Sequence, residues 1–219
     1  MELLSRWAFY FTDSISAGLI ITLKVLAVSL ITTLLFGLVV AIMRMSPIKP
    51  VKWLAQAYIE IFRGTPLLVQ ILLLFAALPI LTGWFLTSFQ TAILAMTLNA
   101  GSYMAESYRS GLESVPVGQR EAAASLGMGS LLAFRRVVFP QAIKIVLPAI
   151  GNTMTGMLLA TSFIFLVGLQ DMMARANLIL WKTGDFSIYL LVTLIYVAIG
   201  LVFVWGTKYM EAQFKQDSV

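Results

Sequence analysis

Two residue types are absent from this sequence of 219 residues, which has no cysteine and no histidine. Without cysteine there can be no disulfide, thiolate metal ligand or cysteine nucleophile, and without histidine there can be no imidazole ligand or histidine proton relay. Charged residues are also scarce, at 11%, whereas 60% of the residues are hydrophobic. That composition is too apolar for a soluble domain of this length and predicts an all-α integral membrane protein.

Five apolar stretches are long enough to cross a bilayer, whose hydrocarbon core needs roughly 20 apolar helical residues. The predicted spans are 15–43, 53–81, 88–108, 145–169 and 188–205. We expect one transmembrane domain over residues 1–219, with a long loop at 111–144 and an amphipathic interfacial helix at 170–187. An odd number of spans places the two termini on opposite sides of the membrane.

The distribution of lysine and arginine predicts the orientation, because cytoplasmic loops carry the excess of these residues. With the N-terminus outside, the inner side holds Arg44, Lys49, Lys52, Arg109, Arg120, Arg135, Arg136, Lys144, Lys208 and Lys215. The outer side then holds only Arg6, Arg175 and Lys182. This asymmetry predicts a periplasmic or extracellular N-terminus, a cytoplasmic C-terminus and a cytoplasmic loop at 111–144. Topology therefore explains the net charge of +5 without a nucleic-acid partner.

The predicted inner loop contains a short helix-forming segment with a distinctive spacing. Pro116 and Gly118 form a turn, after which a helix begins near Gln119 and ends after about two turns. Its pattern is Glu121, Ala122 and Ala123, then Gly127 after three residues, then Pro140. A short exposed helix between two turns has the shape of a docking element for another protein.

This spacing resembles the EAA loop of ATP-binding-cassette importer permeases, with Val137 and Phe139 in place of that pattern's isoleucine and leucine. The segments 58–70 and 97–123 look like the polar amino-acid branch of the family. The resemblance implies a multi-pass permease of the bacterial inner membrane that pairs with a copy of itself or with a second permease subunit. It also implies a cytoplasmic ATPase dimer, which would bind ATP and Mg²⁺, and an extracytoplasmic amino-acid-binding protein.

The resemblance also implies roles for the loop residues, as a coupling helix between the third and fourth spans. Glu121 would bind a basic or helix N-terminal group on the ATPase, Ala122 and Ala123 would permit close approach, and Gly127 would allow the sharp turn before Pro140. The chain has no GxxxxGK[ST] phosphate-binding loop, so ATP hydrolysis would be supplied by the partner. We therefore expect a transport subunit, without enzymatic activity and without a cofactor or metal of its own.

Charged residues and a proline near the inner end of the second span predict a specialised segment. Glu60 and Arg63 lie three residues apart on one helical face, where they can pair. Gly64 and Pro66 follow, and a proline within a helix removes a backbone hydrogen bond and kinks the chain. The pattern fits either an ion pair that fixes helix register or a gating element that bends during alternating access.

Polar residues in the third and fourth spans are candidates for a translocation pathway. Asn99, Tyr103 and Glu106 share one face of the third span and either line a pathway or bond neighbouring helices. Thr161 and Ser162 are candidates in the fourth span, although such hydroxyls often bond the carbonyl of the preceding turn.

Leu159 and Ala160 precede Thr161, whereas many permeases of the family carry a charged pair there. This departure leaves two interpretations open. Either the ligand is recognised elsewhere in this chain, or a partner permease holds the site and this subunit is the structural half of a heterodimer.

Two other classes of protein compete with the importer. A secondary amino-acid carrier driven by an ion gradient would use Glu106 or Lys24 as its coupling group, although Lys24 also fits snorkelling to the interface. Five spans without internal duplication make an awkward carrier, and the long inner loop would have no purpose in one. A membrane enzyme would need a nucleophile and base constellation that the sequence lacks. The pattern favours the importer permease.

Overall fold

The computed structural model describes residues 2–216, and every regular element in that range is a helix. The helices are α1 (Glu2–Arg44), α2 (Lys49–Gly64), α3 (Leu67–Thr82), α4 (Ser88–Glu113), α5 (Val117–Ser125), α6 (Ser130–Val167), α7 (Met172–Thr183) and α8 (Ser187–Gln216). The last turns of α6, Thr161–Val167, form a 3₁₀ helix. The all-α prediction is confirmed.

Helix α4 lies at the centre of the molecule and packs against α1, α2, α3 and α6. Its buried face is built of small residues such as Ala92, Ala95 and Ala100, which contact apolar side chains of the neighbouring helices. A β-carbon added at Gly37 of α1 would lie 2.8 Å from the β-carbon of Met104 of α4. Small residues therefore allow the close helix approach on which packing in a membrane depends.

Three helices are long and apolar enough to span a membrane, namely Glu2–Arg44, Ser130–Val167 and Ser187–Gln213. The pair α2 and α3 qualifies as a fourth span if the two bent pieces are counted together. Helix α4 has 26 residues, but polar side chains such as Asn99 and Glu106 lower its hydropathy. A central helix can carry them because its neighbours shield it from lipid. The count of five spans and the orientation remain predictions.

Three predicted segments differ from the helix bounds of the structure. The first helix begins at Glu2 and not near residue 15, because the charged Glu2, Arg6 and Asp13 lower the hydropathy of a segment that is still helical. The predicted second span, 53–81, is two helices that begin at Lys49.

The predicted loop 111–144 is the third such segment, because most of it is helical. Helix α4 continues to Glu113, and α6 begins at Ser130. Residues 130–139 contain leucine, alanine and arginine but no glycine, which favours a helix. A π turn at Phe134–Val138 ends two residues before Pro140, and such a widened turn suits a residue that cannot donate a backbone N–H.

The predicted interfacial helix at 170–187 is present as α7. Asp171 caps it through a hydrogen bond from the Ala174 N–H to Oδ1, 2.9 Å long. Met172, Ala176 and Ile179 are buried, whereas Trp181 is 87% exposed. The helix therefore has one buried face, and its interfacial position remains a prediction.

The start of α1 is tied to the turn between α7 and α8. Asp185 accepts hydrogen bonds from Arg6 and from the hydroxyl of Tyr10, each 3.2 Å long, and Trp7 donates to Ser187 at 3.0 Å. Hydrogen bonds from Ser187, followed by those from Tyr10 and the charge of Arg6, lower the pKa of Asp185. The carboxyl of Asp171, at the other end of α7, behaves in the opposite way, because burial raises its pKa to about 6.

Candidate functional site

The second predicted span is broken at Gly64–Pro66, where α2 and α3 meet at an angle of 107°. Thr65 has extended backbone angles (φ −120°, ψ 142°), as does Pro66 (φ −63°, ψ 137°). Proline disfavours a helical conformation in the residue before it and donates no N–H, which favours a break of the α-helix at Thr65. The predicted kink is confirmed at these residues, and it is a sharp break instead of a gentle bend.

Two side-chain amides pair with the backbone carbonyls that the break exposes. Nε2 of Gln70 lies 3.0 Å from the carbonyl oxygen of Phe62, 3.1 Å from that of Thr65 and 2.8 Å from Oγ1 of Thr65. Nδ2 of Asn99, on α4, donates to the same Phe62 carbonyl at 3.1 Å. Because an unpaired carbonyl is costly in an apolar interior, these bonds hold the break against α4.

A cavity of about 330 Å³ opens beside the break, between α3, α4 and α6. It is lined by Leu67, Met96, Asn99, Ala100, Tyr103, Asn152, Thr153, Gly156, Met157 and Ala160. Two of the predicted pathway residues, Asn99 and Tyr103, are thus brought together on one wall. None of these lining residues is charged at neutral pH. Amides and hydroxyls in an otherwise apolar wall suit a small polar solute.

A smaller cavity of about 280 Å³ adjoins the first through Tyr103. Its wall includes Arg63, Glu106 and Ser107, so the third predicted pathway residue lies here. The guanidinium carbon of Arg63 is 5.1 Å from the centre of the Tyr103 ring, in a cation–π contact. The charged groups are therefore grouped at one end of the cavity pair.

Glu106 belongs to a charged network within α4. Its Oε1 accepts a hydrogen bond of 3.1 Å from Nε of Arg109, and Arg109 also pairs with Glu113. These spacings are i, i+3 and i, i+4, at which side chains meet on one helical face. A carboxylate that is held by its own helix is less available to a solute than the sequence alone suggests.

The expected pairing of Glu60 with Arg63 is wrong for the residues that the structure describes. Oε1 of Glu60 accepts a hydrogen bond of 2.8 Å from Gln56, one turn earlier on α2. Arg63 turns instead towards Tyr103 of α4. A neighbour on another helix competes for Arg63, which spacing along α2 does not reveal.

Thr161 and Ser162 do not face the cavity that contains Asn99. Thr161 is buried, and its hydroxyl is 2.6 Å from the carbonyl oxygen of Leu158 and 3.3 Å from the hydroxyl of Tyr196. Ser162 lines a separate cavity of about 480 Å³ between α6 and α8. The structure therefore divides the predicted pathway residues between two sides of α6. Bonding to the preceding turn, the alternative interpretation of these hydroxyls, fits both residues.

The predicted docking helix is α5, which begins after Pro116 and ends in a left-handed turn. Gly127 has φ 74°, and its N–H bonds the carbonyl of Ala124 while the N–H of Met128 bonds that of Ala123. These two bonds form a Schellman motif, in which glycine is favoured because a β-carbon is strained at positive φ. The predicted stop at Gly127 is confirmed, whereas the helix begins at Val117 and not at Gln119.

The exposed face of α5 differs in one residue from the expectation. Glu121 and Ala122 are exposed, but Ala123 is only 2% exposed. Ala123 is therefore not available for close approach by a partner and belongs to the packing of α5 on its own chain. Pro140 is exposed in the first half of α6.

Several residues of this site carry roles that the sequence analysis missed. Gln70 follows Pro66 by four residues in an otherwise apolar run, and a lone buried amide after a proline signals a partner for freed carbonyls. Tyr58 donates a hydrogen bond of 2.5 Å to the carbonyl oxygen of Leu98, which ties α2 to α4. Arg109 follows Glu106 by three residues, a spacing from which their ion pair could have been predicted.

Comparison with known proteins decides the family. The family described as binding-protein-dependent transport system inner membrane component matches residues 33–216. This chain belongs to that family. It is 34% identical over 214 residues to the L-cystine transport system permease protein TcyL of Bacillus subtilis, covering 94% of this chain and 90% of that protein. It is 33% identical to the arginine transport system permease protein ArtQ of Bacillus subtilis, covering 91% and 92% of the two chains.

Solved structures agree with this assignment. The crystal structure of an amino acid ABC transporter with histidines is 39% identical, covers 93% of this chain and 95% of its own, and has a TM-score of 0.86. The inward-facing MetNI methionine ABC transporter is 16% identical with a TM-score of 0.72, which shows a shared fold. This inner membrane component is therefore the permease subunit of an ABC importer, not itself catalytic, and the secondary-carrier alternative is wrong.

Proposed function

We propose that this permease subunit carries polar amino acids into the cell through five spans, with its N-terminus outside and its C-terminus in the cytoplasm. Helix α4 is the fifth span, in addition to α1, the bent pair α2 and α3, α6 and α8. Its 26 residues are long enough to cross the bilayer, and neighbouring helices shield its polar side chains. The names of the two relatives from Bacillus subtilis support an amino acid as the solute. The polar but uncharged wall of the cavity at Asn99 and Tyr103 suits such a solute.

The observation that carries the proposal is the continuity of α6. This helix begins at Ser130, two residues after the docking turn at Gly127–Met128, and its residues from Asn152 to Ala160 line the cavity. A displacement of α5 therefore reaches the cavity through a helix that moves largely as a unit, since packed helices switch between discrete arrangements. Glu121 and Ala122 present the exposed contact face.

The broken helix α2–α3 supplies a second moving part. Glu60 and Arg63 lie in the last turns of α2, and Gly64 and Pro66 lie at the bend of 107°. Broken helices in transporters line solute sites, because irregular backbone is tolerated there. A change in the angle at Thr65 would alter the cavity wall.

The partners follow from this assignment. A cytoplasmic ATPase dimer, carrying ATP and Mg²⁺, contacts α5, and a second permease subunit completes the pathway. An extracytoplasmic binding protein delivers the amino acid, with the outer helix α7 as its candidate contact. The assembly lies in the bacterial inner membrane. Ser162 of α6 lines a separate cavity, between α6 and α8.

The coupling role is tested in proteoliposomes that contain the permease, its ATPase and its binding protein. Gly127→Ala strains a residue at φ 74° by about 1–2 kcal/mol, whereas Gly118→Ala on the same helix has no such strain. Neither added methyl meets another atom within 4 Å. We expect Gly127→Ala and Glu121→Gln to reduce amino-acid uptake per ATP hydrolysed at least severalfold, while Gly118→Ala keeps the ratio of the parent.

Two results would contradict the proposal. Uptake driven by an ion gradient without the ATPase would exclude ATP coupling through α5. Equal coupling ratios for Gly127→Ala and Gly118→Ala would show that the turn geometry is irrelevant. Purifying this chain as the only permease present distinguishes a homodimer from a heterodimer with a second permease subunit. Amino-acid uptake by that preparation would require a homodimer.

A further inference from the structure

A large apolar cleft lies on the face of α4 opposite the cavity at Asn99. Tyr108, which lines the cleft, follows Asn99 by nine residues, and this separation turns half-way round a helix at 3.6 residues per turn. The cleft has a volume of about 730 Å³ and lies between α1, α4 and α6. Since it faces away from the cavity, it is not part of the same solute path.

The walls of the cleft are exposed hydrocarbon. Ile42 of α1 is 62% exposed, and Phe134 and Phe139 of α6 are 44% and 49% exposed. On a membrane protein such a surface is covered either by another protein or by lipid chains. The chemistry at the ends of the cleft distinguishes a protein partner from a lipid.

One end of the cleft is basic. The cleft shares Met45, Leu112 and Phe134 with a second cavity of about 400 Å³, whose wall includes Arg120. Nη2 of Arg120 donates to the carbonyl oxygen of Leu112 at 2.7 Å, so the guanidinium lies at the mouth of the cleft. The exposed Arg135 follows Phe134 directly, with Arg136 beside it.

Acidic residues do not cancel this charge. Between Tyr108 and Val146 the basic residues are Arg109, Arg120, Arg135, Arg136 and Lys144, and the acidic residues are Glu113 and Glu121. Glu113 is paired with Arg109, while Glu121 lies on the exposed face of α5. An apolar cleft with a positive mouth complements a molecule that has a hydrocarbon chain and an anionic head.

We propose that this cleft binds an anionic glycerophospholipid of the inner leaflet. One acyl chain lies along Ile42, Tyr108 and Phe139, and the phosphate contacts Arg120 and the pair Arg135 and Arg136. The proposal rests on the cytoplasmic placement of this end in the proposed function, which puts the mouth at headgroup depth. Basic pockets between membrane helices on the cytoplasmic side are suited to anionic headgroups.

Through this site, the lipid composition of the membrane would affect the coupling of ATP hydrolysis to amino-acid uptake. Phe134 and Phe139 belong to the part of α6 that lies between α5 and the cavity-lining turns. A lipid that fills the space between α1 and this part of α6 stabilises one position of the helix.

The test measures the Tm of the detergent-purified transporter, with its ATPase, after addition of phosphatidylglycerol or phosphatidylcholine with the same acyl chains. We expect phosphatidylglycerol to raise the Tm by about 5 °C and phosphatidylcholine by clearly less, because a ligand of the native state stabilises it. Inorganic phosphate at equal concentration should produce no rise.

Two variants with matched controls locate the binding. Ile42→Trp fills the cleft from an exposed position, and Ile31→Trp is its control three turns earlier on the same face of α1, where Ile31 is 59% exposed. The double variant Arg135→Gln/Arg136→Gln removes two of the three arginines proposed to contact the phosphate and leaves Arg120 in place. Its control, Lys52→Gln/Lys208→Gln, removes two exposed charges elsewhere. We expect only Ile42→Trp and the arginine variant to lose the preference for phosphatidylglycerol.

Several results would overturn the proposal. An undiminished preference in Ile42→Trp would show that the headgroup binds outside the cleft, and equal Tm rises for the two lipids would exclude headgroup recognition. A rise with inorganic phosphate would indicate a soluble-anion site. A photoreactive residue at position 42 that captures the ATPase or the second permease subunit would show that protein covers the cleft. Because the readout is lipid binding, failure of amino-acid uptake would not affect it.

Discussion

The break between α2 and α3 predicts a strong non-additivity between two substitutions. Gln70 and Asn99 both donate to the carbonyl oxygen of Phe62, at 3.0 and 3.1 Å. Replacing either by leucine leaves this carbonyl with the other donor. Replacing both removes the two side-chain donors at once. The double variant should therefore be less stable than the sum of the single variants predicts.

The magnitude follows from the bonds at each residue. Gln70→Leu removes the side-chain donor to the Thr65 carbonyl but also removes the buried Oε1 of Gln70, which has no partner among the described residues. These effects partly offset, so we expect each single variant to cost about 1 kcal/mol. The double variant adds the penalty of leaving the partly buried carbonyl of Phe62 without either side-chain donor, about 2 kcal/mol. For a chain of this length this is a further Tm decrease of roughly 4–8 °C.

Thermal unfolding of the four proteins in detergent measures this coupling. A second cycle that combines Gln70→Leu with Thr193→Val is the control, because Thr193 bonds Tyr189 on α8 and shares no partner with Gln70. That cycle should be additive within about 0.5 kcal/mol. Additivity in the cycle with Asn99→Leu would refute the view that these two amides jointly hold the break.

Three further variants test the fold. Burial raises the native pKa of Asp171 to about 6, so the unfolded chain releases this proton first as the pH rises. The parent protein should therefore lose on the order of 3 kcal/mol of stability between pH 4 and 6, and Asp171→Asn should abolish this loss. The lowered pKa of Asp185 makes the parent protein lose stability as the pH falls below about 4, and Asp185→Asn should abolish this loss. Measuring the Tm as a function of pH tests both variants. Gly151→Ala should lower the Tm by an amount corresponding to about 1–3 kcal/mol, because the added β-carbon lies 2.3 Å from Oγ1 of Thr207. Adding Thr207→Ala should recover part of this loss, and no recovery would place the strain elsewhere.

Local chemistry explains which features the sequence could predict. Pro66 fixes the break, Gly127 fixes the end of α5, and the amphipathic pattern at 170–187 gives α7, because each depends on residues that are close along the chain. The angle of 107° could not be predicted, since it depends on the amides of Gln70 and Asn99.

Tertiary neighbours explain the errors. Spacing places Glu60 and Arg63 on one face, but it cannot show that Tyr103 of another helix attracts the guanidinium. The helical period likewise relates Thr161 to the turn before it, whose carbonyl it bonds. It does not show which cavity lies on the side of α6 that carries Thr161. Ala123 reads as a contact residue because alanine is small, whereas the packing of α5 buries it.

Asn99 joins the cavity to the break, and this has a mechanical consequence. Its Nδ2 holds the Phe62 carbonyl at the end of α2, while the same residue lines the cavity of about 330 Å³. An amide nitrogen has two hydrogens, so a solute that hydrogen-bonds to Asn99 acts on a group that also fixes the angle between α2 and α3. Arg63, one residue after Phe62, carries any movement to Tyr103 and so to the charged end of the cavity pair. In the proposed function, a solute that contacts Asn99 would thus be linked to the angle between α2 and α3 through this one side chain.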